Sequence, residues 1–210
     1  CGVTLVVPTS RHTGDVSRLL VRPSGPLSGE LVVSGAKNSA LKLMAACVLA
    51  EGRYVLRNVP RISDVDDMCA LLDAMGISSR WREDGALEIV RGVEVTPEAP
   101  YELVERMRAS SAVLGPLLAA MGRASVAMPG GDDFGGRPID MHLQGLEALG
   151  ASFTLSHGVI EGRADALIGT EVVLEYASVG ATESLLMAGV LAKGRTTVHN
   201  AAREPEIADL

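Results

Sequence analysis

Aromatic residues are scarce in this 210-residue sequence: one Trp, three Tyr and two Phe make up 3% of it. A core must be built from aliphatic side chains, which carry most of a hydrophobic fraction of 47%, too large a share for an intrinsically disordered chain. Long apolar runs are missing too. None reaches the roughly 18 to 20 residues of a membrane span, and residues 1–17 lack the charged-then-apolar order of a signal peptide, so a cytoplasmic protein with no membrane partner is expected. Positive charge is in deficit, with 19 Lys and Arg against 26 Asp and Glu for a net charge of −7. No overall field draws in a polyanion, which disfavours nucleic acid, while a few Arg and Lys converging in a dry cleft still suit a small anion. Cysteine is sparse and odd in number: Cys47 and Cys69 sit inside apolar helical patterns, Cys1 stands at the start, and no disulfide is expected. His12, His142, His157 and His199 form no HExxH or i, i+4 pair, so no metal is expected.

What the chain has in quantity is short alternating elements. With 23 Gly and 10 Pro, it reads as an α/β or α+β fold with many tight turns. Residues 1–17 show no period and read as a loosely ordered extension. Residues 19–21 and 30–33 have strand character, separated by a Pro-Gly turn cluster. Residues 37–50 place Ala40, Leu41, Met44, Ala45 and Val48 at helical spacing; a strand at 54–56 follows. Ser63, Asp64, Val65 and Asp66 read as a capping box opening a second helix, with Met68, Leu71, Leu72 and Met75 along its buried stripe. Residues 79–81 and 86–90 then form a hairpin across Glu83, Asp84 and Gly85.

This order recurs. Residues 48–53 match 190–195 at an offset of 142, and the match continues through Asn58 and Asn200, Arg61 and Arg203, and Asp67 and Asp209. A middle copy aligns Gly52 with Gly122 at offset 70 and Gly76 with Gly150 at offset 74, and so holds four extra residues at 130–136. Repeats of this size pack around a shared centre. The chain starts on Cys and stops at a helix opening, so both ends read as cut, the third copy as truncated, and apolar faces of the first two as left without a partner.

Three stretches carry chemistry. The insertion around Gly130, Asp132, Asp133 and Arg137, which the other copies lack, has the glycines of a lid, with the paired carboxylates and Arg137 as its only chemistry; a flexible surface turn is the other reading. Ser34, Gly35, Ala36, Lys37 and Asn38 form a strand-to-helix turn whose free N–H groups and Lys suit an anion such as phosphate, though an ordinary turn has the same make-up. Arg106 and Arg108 point to different faces of a helix, so at most one meets a ligand.

Five motifs in order, Ser-Gly-Ala-Lys-Asn at 34–38, Met-Arg-Ala-Ser at 107–110, Pro-Gly-Gly-x-x-x-Gly-x-Arg-Pro-x-Asp at 129–140, Ser-Val-Gly-Ala-Thr-Glu at 178–183 and Asn-Ala-Ala-Arg-Glu-Pro-Glu at 200–206, closely resemble the UDP-N-acetylglucosamine 1-carboxyvinyltransferase family. The related 5-enolpyruvylshikimate-3-phosphate synthases share the repeat architecture but not these loops. The resemblance implies an inside-out α/β barrel of two domains, each of three βαβαββ units, with substrates held between them. Residues 18–36 would lead in from the other domain, and residues 37–210 would be one substrate-binding domain. It also implies that the enolpyruvyl group of phosphoenolpyruvate passes to the 3′-hydroxyl of UDP-N-acetylglucosamine through a tetrahedral ketal, releasing phosphate, as the first committed step of peptidoglycan synthesis. No cofactor is implied.

By the same resemblance, Lys37, Asn38 and Arg137 bind phosphoenolpyruvate. Arg108, Arg137, Pro138, Ile139, Asp140, Met141, Tyr176, Ala177, Ser178 and Val179 hold the UDP-sugar. Asp132 falls where the family's proton donor stands, a position more often Cys; to hold a proton at neutral pH its carboxyl must be raised above about 3.9 by burial, with Asp133 as a possible contributor. The sequence also departs from the commoner pattern at Tyr176, Ala177 and Ser184. The remaining active-site residues would come from the missing domain, in cis or as a separate chain. Two other readings stay open: a half-length, non-catalytic binding protein, and a paralogue acting on another nucleotide. With Asp132 in the cysteine's place, the epoxide fosfomycin, which alkylates that cysteine, should leave the intact mass unchanged.

Overall fold

Short aliphatic helices alternate with strands of two to five residues along most of the chain. The computed structural model describes residues 26, 28–104, 108–128 and 139–210, the side chains of 108–110 excepted. They belong to two compact units, Cys1–Val33 and Ser34–Leu210. In the first, residues 28–33 have no regular secondary structure and no ladder partner among the described residues, so the strand expected at 30–33 does not form. Strand character in a sequence becomes a strand only when a neighbour completes the hydrogen bonds. The strand expected at 19–21 lies outside the described residues.

The second unit repeats one plan three times. Its first copy holds α1 (Lys37–Ala46), β1 (Gly52–Leu56), α2 (Ser63–Ala74), β2 (Ile77–Trp81) and β3 (Leu87–Arg91). The second holds β4 (Glu98–Ala99), α3 (Tyr101–Val104), a 3₁₀ turn (Arg108–Val113), α4 (Leu114–Met121), β5 (Arg123–Ala127), α5 (Asp140–Ala148), β6 (Ser152–Ser156) and β7 (Val159–Arg163). The third holds β8 (Glu171–Val173), α6 (Val179–Gly189), β9 (Thr197–His199) and α7 (Pro205–Asp209). In the second copy the sheet order is β4-β5-β7-β6, with β4 parallel to β5 and the β6–β7 hairpin antiparallel. The first sheet, β1-β3-β2, has the same antiparallel part, and β8 and β9 repeat the parallel part. Together these give the βαβαββ order that the internal offsets require.

Two expectations about helix ends are corrected. The N-cap of α2 is Ile62, not Ser63, and no side chain caps it. Ser63 is already helical, and Asp64 is engaged by Lys37 at 3.0 Å. Helix α1 stops at Ala46, because residues 47–49 continue in tighter i to i−3 bonds to Met44, Ala45 and Ala46 before Gly52. The Cys47 thiol in that turn is buried and pushed up to about 12 by desolvation, which makes it an inert core group.

The core is aliphatic, as the shortage of aromatics requires. Met44, Met68 and Met75 are fully buried, and Met187 nearly so. At its centre lies α6, in which Ala181 through Leu185 are all buried. A Cβ on Gly115 of α4 would stand 2.6 Å from the Ser184 carbonyl oxygen, and one on Gly145 of α5 would stand 2.8 Å from a Leu185 methyl. Only glycine permits helices to approach this closely. Exposed large apolar side chains include Val173, Leu186, Val190 and Leu191 of the third copy. They are a feature of that copy as well as of the second, where Leu155 and Met128 are exposed.

On the outer face of the first sheet, Glu88 is 2% exposed because guanidinium groups of Arg53, Arg80 and Arg82 crowd around it. The hydrogen bond from Arg80 is the main cause that holds the Glu88 carboxyl below its ordinary value of 4.5; burial opposes, and the charges of Arg53, Arg80 and Arg82 assist. A lowered folded-state value means that the contribution is complete above pH 4.5 and is lost as pH falls through the folded value. The stability difference between the wild type and Glu88→Gln, read from urea midpoints between neutral pH and pH 3, should therefore shrink only on the acid side of about 4.5.

Candidate active site

The repeat sets three helical starts in one register. Lys37 opens α1, Arg108 opens the 3₁₀ turn ahead of α4, and Val179 opens α6, each 71 residues from the next. The 3₁₀ turn packs against both α1 and α6, and a Lys42–Glu183 ion pair joins α1 to α6. The first turns of helices carry backbone N–H groups without intrahelical acceptors, and the aligned peptide dipoles add positive potential there.

At α1 no side chain among the described residues caps those donors. The N-cap is Ala36, which has no side chain able to cap, although Ser, Thr, Asp and Asn are the favoured residues in that place. The turn is held from behind instead: the Gly35 N–H donates to the Asn58 carbonyl at 3.0 Å. A Cβ on Gly35 would lie 2.1 Å from that oxygen, so the glycine of the Ser-Gly-Ala-Lys-Asn motif is there for close approach. Asn58 reaches this position with φ 55°, in the left-handed region that Asn tolerates. Lys37 and Asn38 are exposed. The Lys37–Asp64 pair has side chains 50% and 32% exposed, and such a pair is worth at most about 1 kcal/mol, little enough for an arriving anion to displace.

The third copy keeps the left-handed asparagine and engages it through its side chain. Asn200, with φ 56°, is the counterpart of Asn58, and its Nδ2 donates to the carbonyls of Leu174 and Glu175 at 3.1 and 3.4 Å. This fixes the strand end from which Tyr176, Ala177, Ser178 and Val179 run. Ser178 is the N-cap of α6, its Oγ accepting from the Ala181 N–H at 3.3 Å, while Tyr176 is exposed. Ala177 lines an open groove of about 740 Å³ together with Val198, His199, Asn200, Ala201, Ala202, Arg203 and Glu204. The structure thus brings the 176–179 loop together with the Asn-Ala-Ala-Arg-Glu motif.

In the second copy, Ile139 and Met141 are buried at the start of α5, and Asp140 is exposed with its Oδ1 accepting from the Met141 N–H at 2.9 Å. Arg108 begins the 3₁₀ turn. Asp132, Arg137 and Pro138 lie outside the described residues. Among the described residues no group of three or more His, Cys, Asp or Glu is placed to hold a metal, and no helix is long and apolar enough to cross a membrane. Sequence reasoning gave no role to Lys42, Thr182, Glu183 or Ser184, although Thr182 and Glu183 fall in the Ser-Val-Gly-Ala-Thr-Glu motif and Ser184 departs from the commoner pattern. The signal available was a polar Thr-Glu-Ser triplet inside an otherwise apolar helix. Burial pushes the Glu183 carboxyl above its ordinary value; Lys42 opposes that shift, and Glu206 and Glu204 add to it.

The EPSP synthase (3-phosphoshikimate 1-carboxyvinyltransferase) family matches residues 21–210. The chain belongs to the EPSP synthase family. Among its relatives, the UDP-N-acetylglucosamine 1-carboxyvinyltransferase of Gluconacetobacter diazotrophicus is 53% identical over 197 residues, which cover 93% of this chain and 47% of that protein. The protein of the same name from Solidesulfovibrio magneticus is 48% identical over 195 residues, with the same coverage. This family member therefore spans about half the length of the curated relatives that it matches. Two solved structures share its fold: the enolpyruvyl transferase NikO from Streptomyces tendae, with TM-score 0.76, 22% identity and coverage of 87% of this chain and 43% of that one, and EPSP synthase from Acinetobacter baumannii, with TM-score 0.69, 20% identity and coverage of 86% and 42%. The expected α/β repeat fold is the EPSP synthase fold, present here as a half-length domain.

If the Gly35 contact holds the turn as described, Gly35→Ala should cost about 1–3 kcal/mol in urea unfolding. Gly92→Ala, where nothing lies within 4 Å of the added methyl, should stay within about 0.5 kcal/mol of wild type.

Proposed function

We propose that this chain is the part of a UDP-N-acetylglucosamine 1-carboxyvinyltransferase that binds phosphoenolpyruvate and the UDP-sugar. The observation that carries this reading is the trio of equivalent helical starts, two of them opened by Lys37 and Arg108, in a chain whose relatives bear that name. Lys37, Asn38 and the uncapped N–H groups of α1 would take the phosphate and carboxylate of phosphoenolpyruvate. Arg108 and Arg137 would add fixed bidentate donors. Pro138, Ile139, Asp140 and Met141, with Tyr176, Ala177, Ser178 and Val179, would cradle the uridine diphosphate, largely through backbone.

Asp132 would give its proton to the methylene carbon as the sugar's 3′-oxygen bonds to the adjacent carbon, forming the ketal. Loss of a methyl proton and departure of phosphate then restore the double bond on the transferred group. Because the chain spans half of its relatives' length, the groups that deprotonate the acceptor hydroxyl are assigned to the remaining domain. The product would enter peptidoglycan synthesis in the cytoplasm.

In the full-length protein, phosphate release from phosphoenolpyruvate should depend on UDP-N-acetylglucosamine. Asp132→Ala should lower turnover by about 10² to 10⁴, and Lys37→Ala should raise the KM for phosphoenolpyruvate about tenfold or more. Phosphate release that ignores the nucleotide sugar, or that survives Asp132→Ala unchanged, would contradict the reading.

A further inference from the structure

Three consecutive residues of α6 reach into three different repeats, and each is 1% exposed. Thr182 stays within the third: its Oγ1 donates to the Ser178 carbonyl at 2.8 Å and accepts from the Ala202 N–H at 3.0 Å. Ser184 marks the closest approach of the second, through Gly115. Glu183 crosses to the first, where its Oε2 meets Lys42 Nζ at 2.5 Å. The other oxygen, Oε1, is buried with no hydrogen-bond partner among the described residues.

A carboxylate so placed is not explained by stability. The desolvation of a buried ion pair offsets most of its attraction, and apolar side chains of the same bulk do as well or better in an aliphatic core. What the pair adds is a directional link of fixed length between α1 and α6. Lys42 stands five residues after Lys37 on α1, and Glu183 stands four after Val179 on α6. The contact therefore joins the two helices about one turn behind the segments named above for the two substrates.

We infer that the Lys42–Glu183 ion pair is a positioning device that fixes the segment at 37–38 relative to the loop at 176–179. That these segments hold phosphoenolpyruvate and the UDP-sugar rests on the proposed function; that the pair sets their relation does not. Lys42 and Glu183 touch neither substrate. They act through the helices that carry Lys37, Asn38, Ser178 and Val179.

The test compares the full-length wild type with Lys42→Met/Glu183→Met, which removes both charges and keeps the bulk, and with Lys42→Arg, which keeps the pair. Amide exchange at 38–40 and 180–182 should quicken about tenfold or more in the double variant, while the β6–β7 amides stay as in wild type and Lys42→Arg behaves as wild type. The KM of both substrates should rise together in the double variant, with kcat changed less. Unchanged exchange at both helix starts in a folded double variant would overturn the inference. Should the double variant fail to fold, Lys42→Leu/Glu183→Leu gives the same comparison, again with both charges removed. A wild type without turnover would count against the proposed reaction alone, and the exchange data would still decide the role of the pair.

Discussion

The close packing of α6 against its neighbours is the constraint on which the rest of the second unit depends. Ala181 through Leu185 have no exposed face, and the approach of α4 at Gly115 and of α5 at Gly145 leaves no room for a methyl group on either glycine. A helix held this way cannot tilt or slide without opening the aliphatic core on several sides, and interiors at crystal-like density resist that. The loop that enters α6 therefore starts from a fixed point. The 3₁₀ turn that Arg108 opens packs on the same helix and on α1, so the structure ties all three copies to one centre.

Around that centre the repeat supplies backbone chemistry and the individual copies supply side chains. Each incoming segment ends at a helical start, and the amide groups there form a scaffold that favours anions whatever the side chains are. Lys37 and Arg108 add charge at two of the three, and Val179 at the third does not. The proposed function calls for such a difference, with a small, highly charged donor at one start and a larger nucleotide held by shape and backbone at another. The overall charge of −7 is no obstacle, since exposed charges beyond about 10 Å are screened while these donors act at contact.

Much of this was legible in the residues. The offset of 142 that aligns Asn58 with Asn200 in sequence reappears as φ 55° and 56° in the structure, and the helix stripe through Met44 and Met68 is the core. The Ser-Gly-Ala-Lys-Asn turn stood out by composition, but the reason for its glycine did not, because Asn58 meets Gly35 only after folding. The capping box at Ser63 failed for a related cause: the sequence contains the favoured residue types, but whether they cap depends on where the backbone turns helical and on what else claims the side chains. Strand character at 30–33 likewise had no means of announcing that no strand among the described residues pairs with it. Lys42 and Glu183 stand 141 residues apart, and neither has a local pattern that marks it as half of a pair.

The central claim is that equivalent helical starts of the three repeats act together as the substrate site. It is tested most directly by following backbone amide shifts of the full-length protein as phosphoenolpyruvate and then UDP-N-acetylglucosamine are added. The account predicts shifts at 37–39 with the first ligand and at 139–141 and 176–180 with the second, while the outer face of the β1-β3-β2 sheet stays unmoved. Shifts confined to that sheet, or binding that leaves all three starts unperturbed, would contradict it.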